Sequence, residues 1–150
     1  DWSSDVCSSD LNGAKVFSNP VVNCAGCHQA NGKGLDVGPN LSGIGLKLGK
    51  DALYQAILEP SAGISFGFEN WRLELKSGDD VYGLIVSDGQ DEIALKDAKA
   101  VVSRYKKSDI AKREPMKLSM MPAGLQQTMS VEELVDLVEF LTTLKAGASK

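Results

Sequence analysis

A single histidine, His28, and three cysteines are the whole supply of imidazole and thiol in the chain. Bis-histidine ligation of a metal within the chain is thereby excluded. A zinc site built on a Cys-x-x-Cys pair lacks a second ligand pair, and a cysteine nucleophile lacks a separate histidine base. No apolar run approaches the ~20 residues that cross a bilayer, so these residues carry no membrane-spanning helix. Aromatic residues make up only 6% and bases do not outnumber acids, a poor basis for binding nucleic acid. What the length does allow is one ordinary globular domain with a sizeable core.

Little order is legible at the start. The stretch from Asp1 through Trp2, Cys7 and Asp10 has neither hydrophobic period nor turn logic, and it back-translates readily into a common sequencing-adapter oligonucleotide. We read residues 1–10 as a non-native, adapter-derived segment fused to a domain of residues 11–150, to be set aside as a fusion scar is. Cys7 then needs no disulfide partner, and a missing signal peptide carries no meaning. Without Asp1, Asp5 and Asp10 the formal charge of −4 becomes about −1, which points to no particular partner.

What the chain does have is Cys24-Ala25-Gly26-Cys27-His28. The run Cys-x-x-Cys-His is the attachment signature of c-type haem. On a helical turn the two thiols share a face, where each can form a thioether with a haem vinyl while the His28 imidazole reaches the iron. Two haem-free readings stay open: a thiol redox pair and a structural metal site. The redox pair would want a strand feeding the motif, where Asn19-Pro20 stands instead.

An iron held by His28 has a second axial position, and the thioethers on offer are Met116, Met120, Met121 and Met129. A thioether is a soft, neutral ligand that favours ferrous iron and raises the potential, as suits an electron carrier. Met116 and Met129 read as gap-filling core residues. Met121 is the preferred ligand, because Pro122 stiffens the backbone after it and Ala123-Gly124 continues the turn; Met120 is the fallback. Pro39, eleven residues beyond His28, is a candidate carbonyl for the free N–H of a bound imidazole, although Gly38-Pro39 also reads simply as a turn. A filled sixth position argues against oxygen or peroxide chemistry. A displaced methionine loop would leave a five-coordinate haem, suited to gas or peroxide.

The periodicity predicts a short helix over residues 11–17 with Gly13 and Phe17 on one face, broken by Asn19-Pro20. A second helix is predicted from Asp51, as its cap, to Leu58 before Pro60. Trp71, Leu73 and Leu75 alternate with Arg72, Glu74 and Lys76, and strand-like runs recur over 81–86, 92–96 and 100–105. Residues 67–106 are therefore expected to form a small antiparallel β-meander inserted in a mainly α domain. Within it, the Trp71 indole N–H and the Arg72 guanidinium are candidate donors to a haem propionate, with core as the preferred reading of Trp71. Arg104, Lys106, Lys107, Lys112 and Arg113 form a basic cluster, either a solvated loop face or a docking rim for an acidic redox partner. Ser130 to Glu133 is a capping box opening an amphipathic helix over 131–145, with a stripe of Val131, Leu134, Val135, Leu137, Val138, Leu141 and Leu144. Residues 147–150 read as a frayed tail.

In order, Phe17, the Cys24–His28 motif, Gly38-Pro39-Asn40-Leu41, Met121-Pro122 and the closing helix resemble the class I cytochrome c pattern. Gly38 to Leu41, Ala56 to Ser61, the β-rich insertion and Ser119 to Leu125 narrow the resemblance to the Planctomycete/Verrucomicrobia-type haem-binding domain, over residues 12–145. Glu59 departs from it, standing where a small polar residue is expected. The resemblance implies a cytochrome c-like helical domain with one covalent haem c, Cys24 and Cys27 as attachment points, His28 and Met121 as axial pair, and Pro39 as the imidazole's partner. It also implies single-electron transfer rather than enzymatic turnover, in the periplasm or another extracytoplasmic space where c-type haem is attached. Electrons would come from a redox partner protein or a fused dehydrogenase domain, since such domains often end larger dehydrogenase-like chains.

Overall fold

The computed structural model describes residues 2–146, with side chains from residue 8 onward; the Cys7 side chain and the tail at 147–150 lie outside the described residues. The closing helix, α4 (Val131–Thr143), follows its sequence signals closely. Ser130 Oγ accepts a bond from the Glu133 N–H at 3.1 Å, and the Glu133 carboxylate accepts one from the Ser130 N–H at 2.8 Å. These reciprocal bonds satisfy donors that a helix start leaves without partners. The buried stripe is narrower than expected: Leu137, Val138, Leu141 and the following Leu144 are buried, whereas Val131 and Val135 are exposed.

Against α4 lies α1 (Trp2–Ser18), which runs back from residues 11–17 through the stretch set apart by composition. The Ser9 hydroxyl donates to the Asp136 carboxylate. A Cβ added at Gly13 would sit 2.0 Å from the Asp136 carbonyl oxygen, so only glycine permits this approach of the two backbones. One turn on, Phe17 meets Phe140 with ring centroids 5.7 Å apart and tilted by 58°, a favourable edge-on arrangement. Two shorter helices, α2 (Ile44–Lys47) and α3 (Lys50–Leu58), complete this layer. Gly49 caps α3, and Asp51, expected as the cap, falls in its first turn. Val16, Phe17, Val22, Leu53, Ile57, Leu137, Val138 and Leu141 share one hydrophobic core.

The remaining layer overturns the expectation of a mainly α fold. Helix accounts for 34% of the chain and a five-stranded antiparallel sheet for 24%. β1 (Asn70–Leu75), β2 (Asp80–Asp88), β3 (Glu92–Lys96) and β4 (Val102–Lys106) form a meander, and β5 (Ile110–Pro115) returns to pair with β1. The order is β4-β3-β2-β1-β5, so the two edge strands are consecutive in the chain and joined by Lys107–Asp109 alone. In a flat sheet those edges would lie four spacings, roughly 19 Å, apart, whereas the link from Lys106 to Ile110 reaches at most about 14 Å. The sheet therefore curls, enclosing a cluster of its own: Leu73, Ile93 and Leu95, lined by Trp71, Val81, Ile85, Tyr105 and Ile110. This second core is why the β part is a structural layer in its own right.

Strand β5 is what the sequence pattern did not reveal. Its run Ile-Ala-Lys-Arg-Glu-Pro has no apolar alternation, and an edge strand with one solvated side needs none. Pro115 is tolerated because it ends an edge strand. The basic cluster consequently lies on β4, the link and β5, and four of its five members pair with acids. Arg104 meets Glu92 at 2.6 Å, Lys107 meets Asp88 at 2.7 Å, Lys112 meets Glu114 at 2.9 Å and Arg113 meets Asp88 at 2.7 Å.

Candidate functional site

The Cys24–His28 motif emerges from the loop after α1 as a single 3-10 turn, Cys24–Gly26. Asn23 opens it in the left-handed region at φ 62°, which asparagine tolerates better than most residues. The Cys27 and His28 N–H groups both donate to the Cys24 carbonyl, at 3.1 and 2.9 Å. Both thiols are half-buried and free. Burial pushes the Cys24 thiol up to about 11, and burial also raises Cys27. Such thiols are protonated at neutral pH, unlike the lowered thiolate of a redox-active pair.

The segment after the motif folds back over it. The Leu35 N–H donates to the Ala25 carbonyl at 2.9 Å, and the Val37 and Gly38 N–H groups donate to the Cys27 carbonyl at 3.0 and 2.7 Å. This brings the Pro39 carbonyl to 2.7 Å from His28 Nδ1. A carbonyl only accepts, so Nδ1 carries the ring hydrogen and Nε2 keeps its lone pair. Burial depresses the His28 pKa and so favours the neutral ring, against a smaller opposing effect of the Pro39 bond. At Gly38 a Cβ would stand 2.6 Å from His28 Cε1, so the loop and the imidazole ring are in direct register.

Met121 lies half-buried against the helical core on which Cys24 and Ala25 also pack. Its N–H donates to Ser119 Oγ at 3.1 Å, and the Ser119 N–H donates to Ser61 Oγ at 2.9 Å. The methionine loop is thus hung from the residue after buried Pro60, just past the end of α3. Met120 instead lines a surface cavity together with Asn70, Tyr82, Asp97, Lys99 and Ser119. Met129 packs on the helical core as well. Arg72 is held by Glu114, Asp80 and Glu74 at 2.8, 3.0 and 3.3 Å. Trp71 packs on the sheet core with the Arg113 guanidinium 5.6 Å from its ring centroid.

Three supporting side chains have no site role that the sequence assigns, although Ser61 and Ser119 fall within motifs of the resemblance. Ser119, two before Met121, makes a local serine turn, a pattern that spacing can suggest. Ser61 and Lys96 act on partners 58 and 60 residues away, which no local signal reveals.

The donor set fits haem c. It comprises two unpaired thiols bracketing one turn and a neutral imidazole whose free Nε2 is set by a carbonyl on the other nitrogen. No helix of the described residues is long and apolar enough to cross a membrane. No curated protein matches the chain. Residues 11–73 match the family model described as Cytochrome c, so over this stretch the chain is similar to c-type cytochromes, a family whose cofactor is covalently bound haem c.

Proposed function

We propose that residues 11–150 form a single-electron carrier, with Cys24 and Cys27 as thioether attachment points and His28 and Met121 as axial ligands. When bound, the haem supplies a ferric/ferrous couple that takes up and releases one electron. The observation that carries the reading is the 2.7 Å approach of the Pro39 carbonyl to His28 Nδ1, immediately after two free thiols. Pro39 fixes the ring plane and raises the basicity of Nε2 toward a metal. The preference for Met121 over Met120 is supported by its place on the core shared with Cys24, while Met120 lines a separate cavity. Electron donation by a redox partner protein or a fused dehydrogenase domain, at an extracytoplasmic site, completes the proposal, as does kinship with the Planctomycete/Verrucomicrobia-type domain.

The test is expression with a c-type maturation system followed by a pyridine haemochrome spectrum. Thioether-linked haem is expected, and its loss in a Cys24→Ala/Cys27→Ala double variant. Absence of covalent haem in the unaltered protein would sink the reading. Met121→Ala should abolish the sulfur-to-iron charge-transfer band and lower the potential; an unchanged spectrum would transfer the ligand role to Met120.

A further inference from the structure

Among the described residues, the sheet's side-chain hydrogen bonds to the segment after the motif come from Lys96. Lys96, at the end of β3, extends its ammonium to the Asp36 backbone carbonyl at 2.7 Å, with the Asp36 carboxylate farther off at 3.4 Å. The Lys96 side chain is only 16% exposed, against 72% for Asp36. The carboxylate is largely in solvent, where an ion pair contributes little, and the half-buried lysine makes its shorter bond to the carbonyl.

That carbonyl sits in the strap that holds His28. On its inner side the strap is bonded to the motif through the N–H groups of Leu35, Val37 and Gly38. On its outer side, among the described residues, the side-chain bonds to Asp36 come from Lys96. Between Asp36 and the Pro39 carbonyl lie only Val37, which is buried, and Gly38, which has no spare room against the imidazole ring. A displacement of Asp36 thus reaches His28 with little slack.

We infer that Lys96 is a positioning residue for the imidazole: the sheet holds the 35–39 strap from outside, so that the Pro39 carbonyl stays on His28 Nδ1. The inference rests on the proposed role of His28 as haem ligand and extends it to a residue of the β layer.

The experiment uses the haem-loaded full chain and follows solvent exchange of the His28 Nδ1–H by NMR, beside amide exchange at Val37 and Gly38. Lys96→Met keeps the stem and removes the donor; it should speed exchange at these three sites severalfold while α4 amides keep their protection. Lys96→Arg, which keeps a cationic donor, should restore the slow rate, and Asp36→Asn should leave it unchanged. Wild-type rates in Lys96→Met would overturn the inference. So would equal acceleration in α4, failure of Lys96→Arg to restore the slow rate, or an Asp36→Asn effect as large as that of Lys96→Met. A preparation that takes up no covalent haem would instead refute the ligand role of His28, as the haemochrome spectrum shows independently.

Discussion

The helical layer and the curled sheet are both closed by buried apolar clusters, but they gather their residues differently. The helical core joins the two ends of the fold, with Val16 and Phe17 of α1 against Leu137, Val138 and Leu141 of α4. The sheet core draws Leu73, Ile93 and Leu95 from one contiguous stretch. Contacts of high sequence separation form late and are lost together, whereas local ones close at small entropic cost. The Cys24–His28 motif, its strap and the methionine loop all lie outside the sheet. They are framed by the core that depends on distant parts of the chain, and the sheet is tied to them at a few points such as Lys96.

The comparison breaks most decisively at Phe17. Phe17→Ala removes a buried ring from the α1–α4 crossing and should cost about 3–5 kcal/mol, measured by denaturant unfolding. Amides of α1 and α4 should exchange faster while those of β2 and β3 keep more of their protection. Simultaneous loss in both layers would mean that the two cores are one cooperative unit.

Leu73→Ala is the reciprocal experiment. Leu73 is fully buried at the centre of the sheet cluster, and its truncation should cost about 2–5 kcal/mol. Strand amides should then lose protection before α4, whose capping box and buried stripe are untouched. An unfolding transition without this order would contradict the division.

A smaller and more local effect is expected at Gly38. The added Cβ of Gly38→Ala meets the imidazole at 2.6 Å, so ring or strap must move, at about 1–3 kcal/mol of overpacking. The expected signature is faster exchange of the His28 Nδ1–H with both cores intact. A variant with wild-type exchange would show that the strap can yield without disturbing the ring.

The same contrast explains what was readable in the chain. The motif, Met121-Pro122 and the Ser130–Glu133 box announce themselves because each rests on rare residue types at fixed spacing. The Pro39 carbonyl is a candidate from its place eleven residues beyond His28, with a plain Gly-Pro turn as the equal alternative until the resemblance favours it. The sheet hid its fifth strand: Ile110–Pro115 is polar, carries ion pairs and satisfies its pattern only beside β1. Without β5 the meander looks like an appendage; with it, the edges must meet and a second core results. The contacts of Lys96 and Ser61 were not legible for a related reason, since their partners lie 60 and 58 residues away in the chain.

The weakest expected effect lies in the ion pairs that fasten that curl. Asp88 ends β2 and accepts from Lys107 in the β4–β5 link and from Arg113 on β5, a strand that is not its paired neighbour. These two hydrogen bonds, Lys107 foremost, hold its carboxyl down at about 2. A carboxyl that ionises more readily folded than unfolded stabilises the fold above the ordinary range near pH 4, and that contribution disappears as pH falls toward 2. The side chain is 38% exposed, so solvent and salt screen much of it. Acid should therefore loosen β4 and β5 amides before those of α4. Asp88→Asn should flatten the stability profile between about pH 4 and pH 2, and 1 M salt should shrink the difference between the two proteins. If the variant kept the full acid sensitivity of the sheet edge, the curl would be held by the Leu73 cluster and the three-residue link alone.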